Sequence, residues 1–176
     1  MRLLRKMVHP DTPSGQIRIY ERKAARAIVL DGRQILLLYT ARYNDYSFPG
    51  GGVDPEEDLI TGLKRELIEE TGAKNIKILS EYGYIDEYRP HYNPEHNVIH
   101  MLSYFYICQI DRELGEAKME DYEALNGMSA VWINLYDAIA HNRKVMKDKE
   151  ASMGLSIERE TYVLELVAKE LLHETG

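Results

Sequence analysis

A single cysteine, Cys108, stands in this chain of 176 residues. One thiol cannot form an internal disulfide, and such scarcity suits a reducing compartment such as the cytoplasm. Cys108 lies in an apolar run, so a buried strand position is expected rather than a nucleophile. No run of eighteen apolar residues occurs, and no membrane-spanning helix is expected. The opening residues MRLLRKMVHPDTPSG are partly basic but have no apolar stretch long enough for a signal peptide. Internal repeats are absent too. Excess positive charge is lacking: the net charge is −7, which excludes a general nucleic-acid binder. The balance is uneven, with +5 over residues 1–30 and −12 over the remainder. The early cations (Arg2, Arg5, Lys6, Arg18, Arg22, Lys23, Arg26) either serve a polyanionic ligand or form a solvated strand edge or tail. With 44% apolar residues, the length predicts one domain over residues 1–176 with a sizeable core.

What the chain does have is concentrated in residues 51–73, GGVDPEEDLITGLKRELIEETGA. They fit the spacing Gly-x5-Glu-x7-Arg-Glu-apolar-x-Glu-Glu-x-Gly, filled by Gly51, Glu57, Arg65, Glu66, Leu67, Glu69, Glu70 and Gly72. On a helix, Glu66, Glu69 and Glu70 fall within roughly 100° of arc. Crowded anions repel, and like charges at i,i+4 destabilise a helix. A divalent cation would neutralise them, and hard oxygen ligands with open water positions suit Mg²⁺. Arg65 lies four residues before Glu69 and can pair with and orient it. A solvated acidic face would explain three glutamates alone, but not the glycines, Glu57 and Arg65 at their spacings. Upstream, Ser47 to Gly52 is a breaker cluster whose glycines let a ligand approach the main chain. Local rules favour Asp54 as N-cap with Pro55 at the first helical position. Leu59, Leu63 and Leu67 mark the packed stripe, Gly62 a close approach to the sheet, and Gly72 the C-terminal stop.

The spacing resembles the Nudix box of MutT-like hydrolases, which cut nucleoside diphosphates linked to another group. Ala73 departs from it, standing where a larger aliphatic residue is usual. The resemblance implies an α/β/α sandwich with a mixed β-sheet, and is specific over residues 48–73. It starts the helix later, near Asp58, and this later start is adopted because it leaves Glu57 in the approach loop. It implies Mg²⁺, with Mn²⁺ as a substitute, held by Glu66 and Glu70, then Glu69, with the Gly50 carbonyl. Glu57 would contribute through water or a second ion, and Arg65 would orient. For the general base, Glu69 comes first within the box. The loop Glu120-Asp121-Tyr122-Glu123 offers Glu123 and then Glu120, or is a solvated acidic loop.

The remaining chain reads as alternating elements. Ala24 to Leu30, Asp31-Gly32 and Ile35 to Tyr39 predict a β-hairpin. Arg26 within it must face solvent or an anion, and the resemblance implies the substrate phosphates as that anion. Ile76 to Leu79 is a short apolar segment, and Tyr82 to Asn97 a functional loop or a hairpin with a long connection. Tyr88 and Tyr92 there offer stacking surfaces for a base. Val98 to Ile110 predicts a long strand with His100, Leu102, Tyr104, Tyr106 and Cys108 on one face. Ala130 to Ile133 is a further strand, and Asn134 caps a short helix through Ile139. His141 to Gly154 reads as a charged, exposed linker. A C-terminal helix, about 156–174, is capped by Ser156.

The expected activity is hydrolysis of a phosphoanhydride bond in a nucleoside diphosphate derivative or nucleoside triphosphate. A non-catalytic nucleotide-sensing module is the alternative, but it would tend to lose a box carboxylate, and none is lost. The expected partner is a small nucleotide, with no nucleic acid and no membrane. The N-terminal extension, about 1–20, and the C-terminal helix offer surfaces for a homodimer.

Overall fold

β-Branched and aromatic runs separated by Gly and Asn turns build two sheets in the computed structural model, which describes residues 1–172. The strands are β1 (Leu3–Val8), β2 (Ile19–Ile28), β3 (Leu30–Asp31), β4 (Gln34–Thr40), β5 (Asp45–Ser47), β6 (Gly50–Gly52), β7 (Lys77–Pro90), β8 (Val98–Gln109) and β9 (Met128–Asn134). The larger sheet has the order β1-β7-β8-β2-β6; the smaller joins β3, β4 and β5, with β9 on β4. The larger one is mixed, because β1 runs parallel to β7 and β2 to β8, while β7–β8 and β2–β6 are antiparallel. Helix α1 (Leu59–Thr71) covers one face, where Leu63 and Leu67 meet Ala25, Ala27, Tyr106 and Cys108. On the other, α3 (Leu135–Asp148) and α4 (Ile157–Val167) enclose Ile28, Phe48, Phe105 and Val163. This is the expected α/β/α sandwich. A five-residue helix, α2 (Asp121–Leu125), precedes β9.

Several local expectations meet their structure here. Along β8, Tyr104, Tyr106 and Cys108 face α1 while Phe105 and Ile107 face the opposite layer. Burial pushes the Cys108 thiol up to about 12, so it stays protonated and unreactive. Asp58 caps α1, accepting from the Thr61 N–H at 2.8 Å, and Gly72 ends it at φ 68°. Gly62 is packed, yet a side chain there would meet Val53 and Glu57 of the approach loop rather than the sheet. Ala73 is buried behind α1. Tyr82 to Asn97 resolves into a hairpin: β7 runs to Pro90 and residues 91–97 connect it to β8. The short segment at Ile76 to Leu79 is the start of that long strand.

Three readings are corrected. The apolar run from Ala24 to Leu30 does not form one hairpin arm. β2 ends at Ile28 in the larger sheet, and only Leu30–Asp31 pairs with Gln34–Ile35 in the smaller one. The stretch from His141 is no exposed linker up to Asp148, because α3 runs on through it. Val145 is the one buried apolar residue there and the other buried side chain, Asn142, is polar, too sparse a pattern to read as a helix. Asn142 accepts from the Tyr46 N–H at 3.0 Å and donates to its carbonyl at 2.9 Å, standing in for a strand partner. Ser156 holds the cap position of α4, but its side chain makes no capping hydrogen bond. After Val167 the helix widens into a π-helical turn, Ala168–Leu172; the expected end at Glu174 lies outside the described residues. The basic N-terminus forms the edge strand β1, tied to the C-terminal helix by the two hydrogen bonds of Arg2 with Glu170, both 3.0 Å.

Candidate active site

The site grows from a glycine loop that only glycine can form. Gly50 has φ 132°, and a Cβ there would lie 2.1 Å from the Ala25 carbonyl oxygen. Gly51 leaves the room that Glu66 occupies, since a Cβ would sit 3.0 Å from its Cδ. The Gly50 N–H donates to Glu70 Oε1 at 2.8 Å. The loop therefore fixes one carboxylate and makes space for another.

From α1 and α2, Glu66, Glu70 and Glu123 each offer a carboxylate oxygen, and the three oxygens lie within 4.8 Å of one another. Glu70 and Glu123 are 2% and 3% exposed. Burial raises the Glu70 pKa well above the usual carboxylate range, against the pull of the Gly50 N–H and Arg26; Glu66 and Glu123 push it the same way. Burial also raises Glu66, against Arg65. Buried anions this close are costly unless paired, protonated or ligating a metal. The donor set is all oxygen, which suits a hard divalent cation. Glu123 is held in place by the Glu120 N–H, which donates to its Oε1 at 2.9 Å.

Arg65 organises the flank. Its Nε and Nη2 each reach Glu57 at 2.9 Å, in the two-pronged geometry that guanidinium and carboxylate share. Its Nη1 reaches Glu66 at 3.1 Å and Glu69 at 3.4 Å, and Nη2 the Gly52 carbonyl at 3.3 Å. The hydrogen bonds from Arg65 hold the Glu57 carboxyl down to about 2. Glu57 is thus ionised and committed to Arg65 and the Asp54 N–H.

The other residues singled out by sequence are dispersed. Glu69 lies outside the three-carboxylate group, with Arg65 as its side-chain partner. Glu120 is exposed. Arg26 is turned inward: its Nη1 donates to the Phe48 and Gly50 carbonyls, each at 3.3 Å, and lies 3.8 Å from Glu160. Tyr88 sits on β7, with β8 and β2 between it and β6, and stacks on His100 at 4.3 Å. Tyr92 is 88% exposed.

Some neighbours of the site read in sequence only as part of the early basic stretch, or not at all. A cleft of about 650 Å³ opens at the start of α1, lined by Tyr20, Arg22, Lys23, Val53, Leu59 and Tyr106 among others. None of the three clustered glutamates lines it; its nearest link to them is Glu57, which shares Arg65 with Glu66. Arg22 lies over Gly52, where a Cβ would come within 2.6 Å of its Nη2. Alternation from Arg26 along β2 would have put Arg22 on the same face. Glu160 carried no such signal.

A family model described as NUDIX domain matches residues 21–153. Among curated proteins none matches the sequence. Of solved structures, a NUDIX hydrolase from Nitrosomonas europaea is similar at TM-score 0.55 and 15% identity, covering 85% of this chain and 91% of that one. A MutT protein from Methanosarcina mazei Go1 is similar at TM-score 0.52 and 14% identity, covering 88% and 100%. At such identities these likenesses speak for the fold. The family match takes in the glycine loop, α1 and the segment that delivers Glu123, and on that ground the chain belongs to the NUDIX hydrolase family.

Proposed function

We propose that this protein hydrolyses a phosphoanhydride bond in a nucleoside diphosphate derivative or a nucleoside triphosphate, with Mg²⁺ as cofactor and Mn²⁺ as a substitute. The observation that carries this reading is the convergence of Glu66, Glu70 and Glu123 within 4.8 Å. These three would hold the metal, with the Gly50 carbonyl beside them. When bound, Mg²⁺ supplies Lewis-acid stabilisation of the phosphoryl oxygens and a lowered pKa for water.

The chain's own residues do the rest. A water oxygen attacks phosphorus, the bridging P–O bond breaks, the freed phosphate departs, and a carboxylate accepts the water's proton. The place of Glu123 among the clustered carboxylates favours a ligand role for it and leaves Glu69 for that proton. Glu120 then serves Glu123 through its backbone N–H. Arg65 keeps Glu57, Glu66 and Glu69 in register. Arg26 acts through the Phe48 and Gly50 carbonyls instead of touching phosphate directly. Tyr88 and Tyr92 do not line the cleft beside α1, so the base falls to Tyr20 and Tyr106, which do.

The test is chromatographic detection of the nucleotide and phosphate-ester or pyrophosphate products, with Mg²⁺ or with chelator, from ADP-ribose, dinucleoside polyphosphates, nucleotide sugars, and normal and oxidised nucleoside triphosphates. Metal-dependent cleavage of one class is expected. Tight nucleotide binding without cleavage of any class would sink the hydrolase reading.

A further inference from the structure

Between α4 and the larger sheet runs a file of buried charges. Arg159, 2% exposed, reaches Glu87 on β7 at 2.8 Å and Glu160 at 3.4 Å. Glu160, 1% exposed, lies 3.8 Å from Arg26 on β2. Arg26 donates to the Phe48 and Gly50 carbonyls, and Gly50 donates to Glu70. Every link from Glu87 to the carboxylate cluster is thus a contact of 3.8 Å or less.

This file is a poor device for stability. Removing four charged side chains from water carries a large desolvation cost, and apolar replacements of similar volume often do as well. Several of its polar atoms are also left over: Arg26 Nε, Arg159 Nε and Glu160 Oε2 are buried without a hydrogen-bond partner, as are the nearby hydroxyls of Ser103 and Thr161. What the file does achieve is direction. Arg26 on a strand between small residues has, among the described residues, no other buried anion within ion-pair reach, and Glu160 lies on its guanidinium. With Arg26 released, the Phe48 and Gly50 carbonyls would lose their guanidinium donor, and the Gly50 N–H that orients Glu70 would rest on the β2–β6 pairing alone.

We propose that α4, which lies beyond the family-matched residues 21–153, is part of the active-site machinery, with Glu160 as a positioning residue. It acts through Arg26 and the glycine loop on the geometry at Glu70, and never touches substrate. The kinetic half of this inference rests on the hydrolase reading; the metal-binding half does not.

The experiment compares wild type with Glu160→Gln, which keeps shape and removes charge. Mn²⁺ affinity is read from the free-ion electron paramagnetic resonance signal, alongside turnover and urea unfolding in chelator. Glu160→Gln is expected to weaken Mn²⁺ binding about 10–100-fold, the range seen when an outer support of a metal ligand is lost. kcat should fall with it while KM holds. Glu165→Gln breaks the exposed Arg143–Glu165 pair on the same helix and should leave both readouts at wild type, which separates positioning from loosening of α4. Should Glu160→Gln not fold, Glu160→Asp keeps the charge and shortens its reach, with an intermediate loss expected. A folded Glu160 variant with wild-type Mn²⁺ affinity and turnover overturns the proposal. If wild type binds Mn²⁺ yet cleaves no nucleotide, and Glu160→Gln still weakens binding, the positioning role stands and the hydrolase reading falls.

Discussion

Glu70, in the metal-ligand role proposed for it, would serve function against stability. Burial raises its pKa, so its charge is costly without a cation. Glu70→Gln should therefore lower Mg²⁺-dependent turnover on the order of 10²-fold or more, the scale of losing one preorganised electrostatic contact. Its urea midpoint in chelator should equal or exceed wild type. A variant that keeps wild-type turnover would remove Glu70 from the metal site. His100 presents the opposite sign. Its Nδ1 meets Glu21 at 3.0 Å and its Nε2 meets Asp86 at 2.6 Å. Burial pulls its pKa down, but the two carboxylates outweigh that and raise it. The imidazolium's stabilisation is then fully present below the unfolded value of about 6.5 and is lost as pH rises through the folded value. Urea midpoints should decline as pH rises from about 6.5 through the folded value in wild type and stay flatter in His100→Asn. Equal slopes in the two proteins would rule out the linkage.

At the scale of elements, helix ends and edges decide what local rules leave open. Both Asp54 and Asp58 are plausible caps by sequence, and only Asp58 accepts the N–H of Thr61. Asp58→Ala should cost about 1 kcal/mol in unfolding free energy, and Asp54→Ala close to nothing. The reverse ranking in urea melts would return the helix start to Asp54. In α3, Asn142 satisfies both backbone groups of Tyr46 from a buried position. Asn142→Ala strands a buried donor and acceptor, at about 1–3 kcal/mol for each. A loss well under 1 kcal/mol by the same measurement would mean that β5 finds another partner.

For the whole molecule, the layers matter more than the motif. The glycine loop is pressed between α1 on one face and the Arg26–Glu160 contact on the other, so both layers bear on it. The larger sheet ends in β1, an edge strand with Leu3 and Val8 49% and 61% exposed. Open edges with apolar side chains favour pairing with another chain, and a homodimer through this edge is our expectation. Sedimentation at micromolar concentration showing only the 20.4 kDa species would refute it. Among the described residues no helix is long and apolar enough to cross a membrane.

The chemistry was legible in residues 48–73 because a metal-binding helix needs its carboxylates at fixed intervals, and intervals are a property of sequence. Gly72 as the helix stop and the two faces of β8 were legible for the same reason, since helical and strand periods are local. The neighbours that complete the site were not. Glu123 reads only as a candidate base, from a loop that as readily reads as solvated acid, and Glu160 looks like an ordinary first-turn glutamate of an amphipathic helix. Arg26 had two open directions, and the later turns of α3 hid one buried apolar residue, Val145, among charges. Each was decided by which surface the other layers left for it, and by the cost of burying a charge without a partner, which only the assembled fold can set.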